Sequence, residues 1–373
     1  MTWRSDAMES TDQAPLHVLL AGGGTGGHVF PALAVAEELQ ARGWRVSFTG
    51  STAGLEERLV TERGLPFFPL PARPLVGRGL VGKAQALATL VGSARAASKL
   101  VRRIGANAVL GTGGYVSAPA VIGARLARRP VLLLEPNGRA GVANRWLSRW
   151  ATAAAVGYKE TAADLKCPSF VTGVPVRAAF FSIPEPPAMD VPRLLVLGGS
   201  QGAQQINKAM PETAARLIAK LPGIRIVHQA GARNIDETRA AYAALGLSGI
   251  EIVPFLDDVA GAMAASHLLV SRAGAITVAE ICAAGRASLM VPLAIAQGHQ
   301  VDNARLLVEA GGAEMIRSDQ FSAERLAAAL EALLADGPRL AAMGRAARSL
   351  ARPRAVADIA DRIEALGARG GNA

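Results

Sequence analysis

Very little in this sequence is aromatic. Phe, Trp and Tyr make up 4% of its 373 residues, although half the residues are apolar and 40 are glycine. That balance excludes disordered and fibrous chains. It fits an α/β protein whose helices pack through small side chains. Only two cysteines occur, Cys167 and Cys282, and they have no metal-ligand spacing. They read as reduced, buried thiols of a cytosolic protein. The first fifteen residues are polar and mixed in charge, without the apolar core of a signal peptide. No apolar run approaches the roughly 18–20 residues of a spanning helix. The expectation is a soluble chain, or one resting on a membrane surface, long enough for two domains with full cores.

Acidic residues are missing from one long stretch. Residues 63–134 hold eleven Lys or Arg and no Asp or Glu. Residues 1–190 carry 21 basic and 13 acidic groups, against 19 and 17 in 191–373. The first half therefore faces an anionic partner. Nucleic acid is disfavoured, because only Phe67, Phe68 and Tyr115 offer bases a stacking surface there. Leu75, Val76, Leu80 and Val81 beside Arg73, Arg78 and Lys83 fit a shallow patch on an anionic membrane, which extends the expected contact over 71–103.

What the chain does have is glycine loops between strands and helices. His17–Ala21 reads as a buried strand, Gly22–His28 as a loop with five glycines, and Pro31 as the opening of an amphipathic helix. Such a loop cradles phosphate on backbone N–H groups. Ala108–Leu110 runs into a second glycine loop, Gly111–Tyr115. After Gly173–Arg177 and the Pro-rich 183–192, the grammar restarts: strand 194–197, glycine loop 198–203, helix 204–221, then strands near 224–227, 251–253, 268–270 and 288–291. Strands and helices alternating twice imply two doubly wound, mainly parallel sheets with ligands at the carboxyl ends of the strands.

A dinucleotide site wants an acid about 20 residues beyond the first loop, at the end of strand two. Here that strand ends Phe48-Thr49-Gly50-Ser51, which argues against a nicotinamide enzyme. The acid sits instead in the second half. Gly274 to Glu280 reads as a helix start after a buried strand, with N–H groups for a diphosphate, Thr277 to add a hydroxyl, and Glu280 to accept from ribose hydroxyls. His28, beside the first loop, is either a base near neutral pH or a helix-start histidine that only binds phosphate. His17, His228 and His267 lie in or beside strand-like runs and read as structural. No metal site stands out. Asp257-Asp258 reads as a helix N-cap pair.

Six motifs together resemble one family: GGGTGGHVFPALAVAEEL (22–39), GTGGYVSAP (111–119), EPN (135–137), GVPVR (173–177), GGSQGAQQIN (198–207) and SRAGAITVAEICAAGRASLMVP (271–292). They are similar to the bacterial peptidoglycan glycosyltransferases of family 28 that form lipid II, in register and in order from about Leu16 to Glu309. The resemblance implies the GT-B fold: a Rossmann-like, membrane-facing acceptor domain over 1–176, a UDP-GlcNAc-binding domain over 177–351, and a last helix, about 352–373, returning to the first. It implies transfer of GlcNAc from UDP-GlcNAc to the C4 hydroxyl of MurNAc on lipid I, with inversion. The setting is the cytoplasmic face of the inner membrane, among cell-wall synthesis and division proteins. No cofactor is implied, and assistance by Mg²⁺ stays open.

By the same resemblance the donor touches Thr25, Gly26, Gly27, Asn137, Arg177, Ser200, the backbone at Leu256, Ala275, Ile276, Thr277, Val278, Ala279, Glu280 and Gln300. The acceptor diphosphate meets Gly24, Thr112, Gly113, Gly114 and Tyr115, and His28 becomes the candidate general base. Two departures stand out. Pro136 occupies a position where family members often have Gln, and the loop 294–300 is atypical before Gln300, where His299 could replace a polar contact. Another UDP-sugar GT-B transferase, a UDP-GlcNAc 2-epimerase and a catalytically silent nucleotide binder on a membrane remain alternatives.

Overall fold

The computed structural model describes residues 15–24, 26–51, 54–73, 79–199, 202–293 and 299–370. Among the described residues, thirteen strands form two sheets. The first holds β1 (His17–Ala21), β2 (Arg45–Gly50), β3 (Phe67–Pro69), β4 (Ala108–Gly111), β5 (Val131–Glu135), β6 (Ala153–Val156) and β7 (Ser169–Val171). The second holds β8 (Arg193–Leu197), β9 (Arg225–Gln229), β10 (Glu251–Val253), β11 (Leu268–Ser271), β12 (Ala287–Met290) and β13 (Ala313–Met315). The orders are β3-β2-β1-β4-β5-β6-β7 and β10-β9-β8-β11-β12-β13, with every strand pair parallel.

Both faces of each sheet are covered, which is why the central strands are unbroken apolar runs. Alternate residues serve opposite cores. Val18 and Leu20 of β1 join one cluster, while Leu19 and Ala21 join another. In β8, Leu194 and Val196 face one way and Leu195 and Leu197 the other. Sequence order reverses between β1 and β4 and between β8 and β11. Loops leaving the carboxyl ends of those four strands therefore open onto the two crevices where doubly wound sheets take ligands.

Helix Ala355–Gly370 crosses onto the first sheet's helices. Its Ile359, Ala360 and Ile363 enter the core around Val35 and Leu39. Arg42 pairs with Asp361 at 2.7 Å and Glu364 at 3.0 Å, and Trp44 Nε1 donates to Glu364 at 3.1 Å. Helices Leu80–Arg103 and Gly114–Leu126 touch through small residues: a Cβ on Gly123 would lie 2.5 Å from Ala97 Cβ and 2.7 Å from the Ala94 carbonyl.

Three sequence expectations shift. The first helix is Gly26–Ala41, starting five residues before Pro31. Helix Gly114–Leu126 begins inside the second glycine loop, so Gly114 and Tyr115 are helical. A third helix starts at Leu80, although the Gly- and Pro-rich stretch 71–83 reads in the sequence as irregular. Of that stretch, residues 74–78 lie outside the described residues, with Leu75, Val76 and Arg78 among them. Leu87 and Val91, which the helical period of 84–104 places on one face with Leu90, Ala94 and Val101, are 56% and 43% exposed, and Val81 is 74% exposed. Among the described residues no helix is long and apolar enough to cross a membrane.

Candidate active site

Two interlocked loops build the first half of the site. Thr112 follows β4 and is the bolt. Its N–H donates to the Ala21 carbonyl at 2.9 Å, and its hydroxyl donates to the His28 carbonyl at 2.9 Å. A Cβ on Gly22 would fall 1.9 Å from Thr112 Oγ1, so only glycine fits there. His28 lies in the first turn of helix Gly26–Ala41, with its ring against the second loop. A Cβ on Gly113 would come within 3.1 Å of the imidazole, and one on Gly114 within 3.4 Å. Both glycines hold positive φ, a backbone state that favours glycine.

The imidazole is oriented through one nitrogen. Nδ1 lies 2.8 Å from the Thr112 carbonyl. A carbonyl only accepts, so Nδ1 carries the proton and Nε2 keeps its lone pair. Burial lowers the His28 pKa below its usual value, opposed by the charge of Glu135 and by the Thr112 bond. At neutral pH the ring is neutral and basic at Nε2.

Glu135 was quoted in the sequence only as part of a motif, without a role. It ends β5 with 2% exposure. Its Oε1 accepts from Asn137 N at 3.1 Å and Asn137 Nδ2 at 2.8 Å; its Oε2 accepts from Gly141 N at 2.9 Å and Asn144 Nδ2 at 3.0 Å. A buried carboxylate persists only with such a set of donors. A signal existed: Glu135 is the sole acid between Glu62 and Glu160. Asn144 was missed as well, since nothing local marks it. Asn137 is thereby fixed, and its Oδ1 lies 3.4 Å from Asn303 Nδ2 of the second half. Asn303 also accepts from Gly138 N at 2.9 Å and donates to the Ala273 carbonyl at 3.1 Å, a bridge between halves that the sequence did not reveal.

The second half contributes helix Ala275–Ala284, which follows β11 through Gly274. Ala275 and Val278 are buried, whereas Ile276, Thr277, Ala279 and Glu280 are half-buried. Arg177, at the crossing between halves, stands 3.9 Å from Glu280 Oε1 and lies over the rings of Phe30 and Phe180, at 5.9 and 5.0 Å. Burial pushes the Glu280 carboxyl up to about 7 against the pull of Arg177. Helices Gly26–Ala41 and Ala275–Ala284 touch across the cleft, so the His28 and Glu280 elements converge.

The other predicted residues fall as follows. Gly26 and Gly27 are the first helical residues, and Gly24 has φ +82°. Tyr115 is 42% exposed. Leu256 is half-buried against the second core. Gln300 accepts from Leu293 N at 2.9 Å. Thr25 and Ser200 lie outside the described residues. The three histidines read as structural are bonded internally. His17 meets the Ile104 carbonyl and Ser47; His228 meets Tyr242 and Asn207; His267 accepts from Arg193 N. Asp258 caps helix Val259–Ala264 through Gly261 N at 2.8 Å. Among the described residues no group of three or more His, Cys, Asp or Glu could hold a metal ion.

Two Rossmann-like halves, with loops at both switch points meeting across a cleft, define the GT-B class. Residues 18–156 match the glycosyltransferase family 28 N-terminal domain and residues 193–363 the glycosyltransferase family 28 C-terminal domain. The chain belongs to glycosyltransferase family 28. It is 40% identical over 360 residues, 94% of this chain and 97% of the other, to the UDP-N-acetylglucosamine–N-acetylmuramyl-(pentapeptide) pyrophosphoryl-undecaprenol N-acetylglucosamine transferase of Methylibium petroleiphilum. The identically named protein of Halorhodospira halophila is 42% identical over 356 residues, covering 94% and 97%. The crystal structure of Acinetobacter baumannii MurG superposes with a TM-score of 0.75 at 33% identity, over 94% of this chain and 99% of that one. A Neisseria meningitidis UDP-GlcNAc 2-epimerase bound to UDP-GlcNAc shares the fold, with a TM-score of 0.67 at 13% identity over 93% and 99%.

Proposed function

We infer that this chain is an inverting transferase that moves GlcNAc from UDP-GlcNAc to the C4 hydroxyl of MurNAc in undecaprenyl-diphospho-MurNAc-pentapeptide, giving lipid II. The observation that carries this reading is the cleft itself. A neutral histidine with a free Nε2 lies on a helix that touches the helix bearing the half-buried Glu280 carboxyl, in a chain matched over 94% of its length by a transferase of that name.

The roles follow from the chemistry. Glu280, ionised, accepts from the ribose hydroxyls, and the Leu256 backbone holds the base. N–H groups opening the helix after Gly274, with those after Gly199, bind the donor diphosphate. His28 Nε2 takes the proton from the C4 hydroxyl. That oxygen bonds to the anomeric carbon on the face opposite UDP, while the bond from that carbon to the phosphate oxygen breaks. The electron pair leaves with UDP, and helix-start N–H groups take up its charge. Entry from the opposite face turns an α-linked donor into a β-linked product. No metal is required, which retained turnover in EDTA would test.

The protein reaches its lipid-linked acceptor as a peripheral protein on the cytoplasmic face of the inner membrane. Exposed Val81, Leu87 and Val91 on helix Leu80–Arg103, with exposed Arg95, Lys99, Arg102 and Arg103, support contact with an anionic surface. The decisive assay supplies labelled UDP-GlcNAc and a lipid I analogue. A β1→4-linked disaccharide on lipid is the expected product. Isomerised donor, or binding without turnover, would overturn the reading.

A further inference from the structure

We propose that Glu56 is a positioning residue for this transfer, holding the apex of the first glycine loop so that the acceptor diphosphate is confined to the N–H groups opening helix Gly26–Ala41, beside His28. The proposal rests on the reading of the cleft given above.

Glu56 lies in the first turn of helix Leu55–Thr61 and is fully buried. Its Oε2 accepts from Gly24 N at 3.2 Å. Its Oε1 accepts from Ser51 N at 3.0 Å and Ser51 Oγ at 2.5 Å. Three glycines make room for this one carboxylate. A Cβ on Gly23 would lie 2.3 Å from it, and one on Gly54 2.5 Å; one on Gly50 would lie 2.6 Å from its Cγ. Sites so built around a single side chain fix the backbone that wraps it.

The loop is thus clamped twice. Thr112 holds Gly22 and the His28 carbonyl from one side, and Glu56 holds Gly24 from the other. Two consequences follow. First, the Gly24 N–H is already committed to a carboxylate and is withdrawn from any bound anion. Among the described residues of this loop, the helix-start N–H groups of Gly26, Gly27 and His28, which have no partner within the helix, are the donors left. Second, the carboxylate fills the end of β2, where an acid in a dinucleotide enzyme would take ribose hydroxyls. Here its oxygens face inward to Ser51 and Gly24, so this half offers a nucleotide neither the space nor the acceptor.

The test is Glu56→Gln in the full chain. A carboxylate accepts on both oxygens, but an amide on one only. Whichever way the amide turns, an NH₂ group faces Gly24 N–H or the Ser51 donors. With a charged-group hydrogen bond lost, kcat/KM for a lipid I analogue should fall roughly ten- to a hundredfold. KM for UDP-GlcNAc should change far less than the acceptor kinetics, and hydrogen exchange should rise at the 22–28 amides and at Ser51 but not elsewhere. Unchanged acceptor kinetics in the folded variant, or donor and acceptor KM rising together, overturns the proposal. If Glu56→Gln does not fold, Ser51→Ala, which removes one hydroxyl donor, must weaken acceptor kinetics alone, and failure to do so overturns it equally. If the wild-type chain transfers nothing, the functional reading fails. The exchange data then decide the role of Glu56, and unchanged exchange at 22–28 rejects it.

Discussion

If Glu280 holds the donor's ribose as proposed, donor binding must depend on pH, because its carboxyl is raised into the physiological range. Its carboxyl, ordinarily near 4.5, is pushed up to about 7 because burial disfavours the charge more than Arg177, 3.9 Å away, restores it. A carboxylate accepts from both ribose hydroxyls; the protonated acid has one fewer acceptor and a donor in its place. UDP-GlcNAc therefore selects the ionised form. The sign is fixed by the raised pKa: the binding form dominates above pH 7 and is depleted below it. For one group of pKa about 7, the donor KM at pH 6 should be roughly elevenfold its high-pH value, and it should change little between pH 8 and 9. The assay is initial rates with saturating acceptor and varied donor, from pH 5.5 to 8.5 at constant ionic strength. Glu280→Gln should raise the high-pH KM and flatten the curve. Arg177→Ala, with the opposing charge gone, should move the break to higher pH. A wild-type donor KM independent of pH between 6 and 8, or a Glu280→Gln variant tracing the wild-type curve, would refute the assignment.

Three further outcomes test other parts of the structure. His28→Ala should lower kcat roughly 10²–10⁴-fold with little change in donor KM, since a base acts in the transition state; near-wild-type kcat removes His28 from that role. Arg286 is fully buried and donates to the carbonyls of Met263, Pro184, Ala284 and Ala264. Arg286→Met strands those oxygens and should cost about 3 kcal/mol in urea unfolding, and an unchanged midpoint would contradict it. Binding to anionic vesicles should weaken with salt and fall again in a Val81→Asp/Leu87→Asp double variant, whereas equal binding by the variant would exclude this face of helix Leu80–Arg103.

The fold was legible wherever burial wrote itself into one short window. β1, β4, β8 and β11 are apolar runs that lead into glycine turns, and they appear where the sequence places them. β6 was not legible: Ala153-Ala154-Ala155-Val156 has no strand propensity of its own. It becomes a strand because β5 and β7 flank it and both of its faces are covered. The helix start at Gly26 was hidden for a related reason. Three of the first six helical residues are Gly or Pro, all poor formers, and the turn is held by Thr112, 84 residues away from His28. In the site, His28 and Glu280 were visible because each follows a glycine next to a strand. Glu135 and Glu56 were not, because about half of their donors are backbone N–H groups and a glycine's empty side has no letter of its own.

Those two hidden carboxylates give a physical reason for the proposed division of ligands between halves of like topology. Each has a glycine-rich turn at its switch point and a helix start that attracts anions. In the first half the acid near the end of β2 turns inward, taking Ser51 and Gly24, and a second acid, Glu135, is consumed by four N–H donors beneath the cleft. Neither retains oxygen lone pairs aimed at a ribose, so what remains for a ligand is N–H donors and a basic imidazole, a site for a diphosphate and a hydroxyl. In the second half the acid stands on the helix, 3.9 Å from Arg177, and among the described residues no hydrogen-bond donor occupies its oxygens. On the proposed assignment the nucleotide goes where a carboxylate is left open, and the acceptor goes where the two buried carboxylates, Glu56 and Glu135, are satisfied and a neutral nitrogen is not.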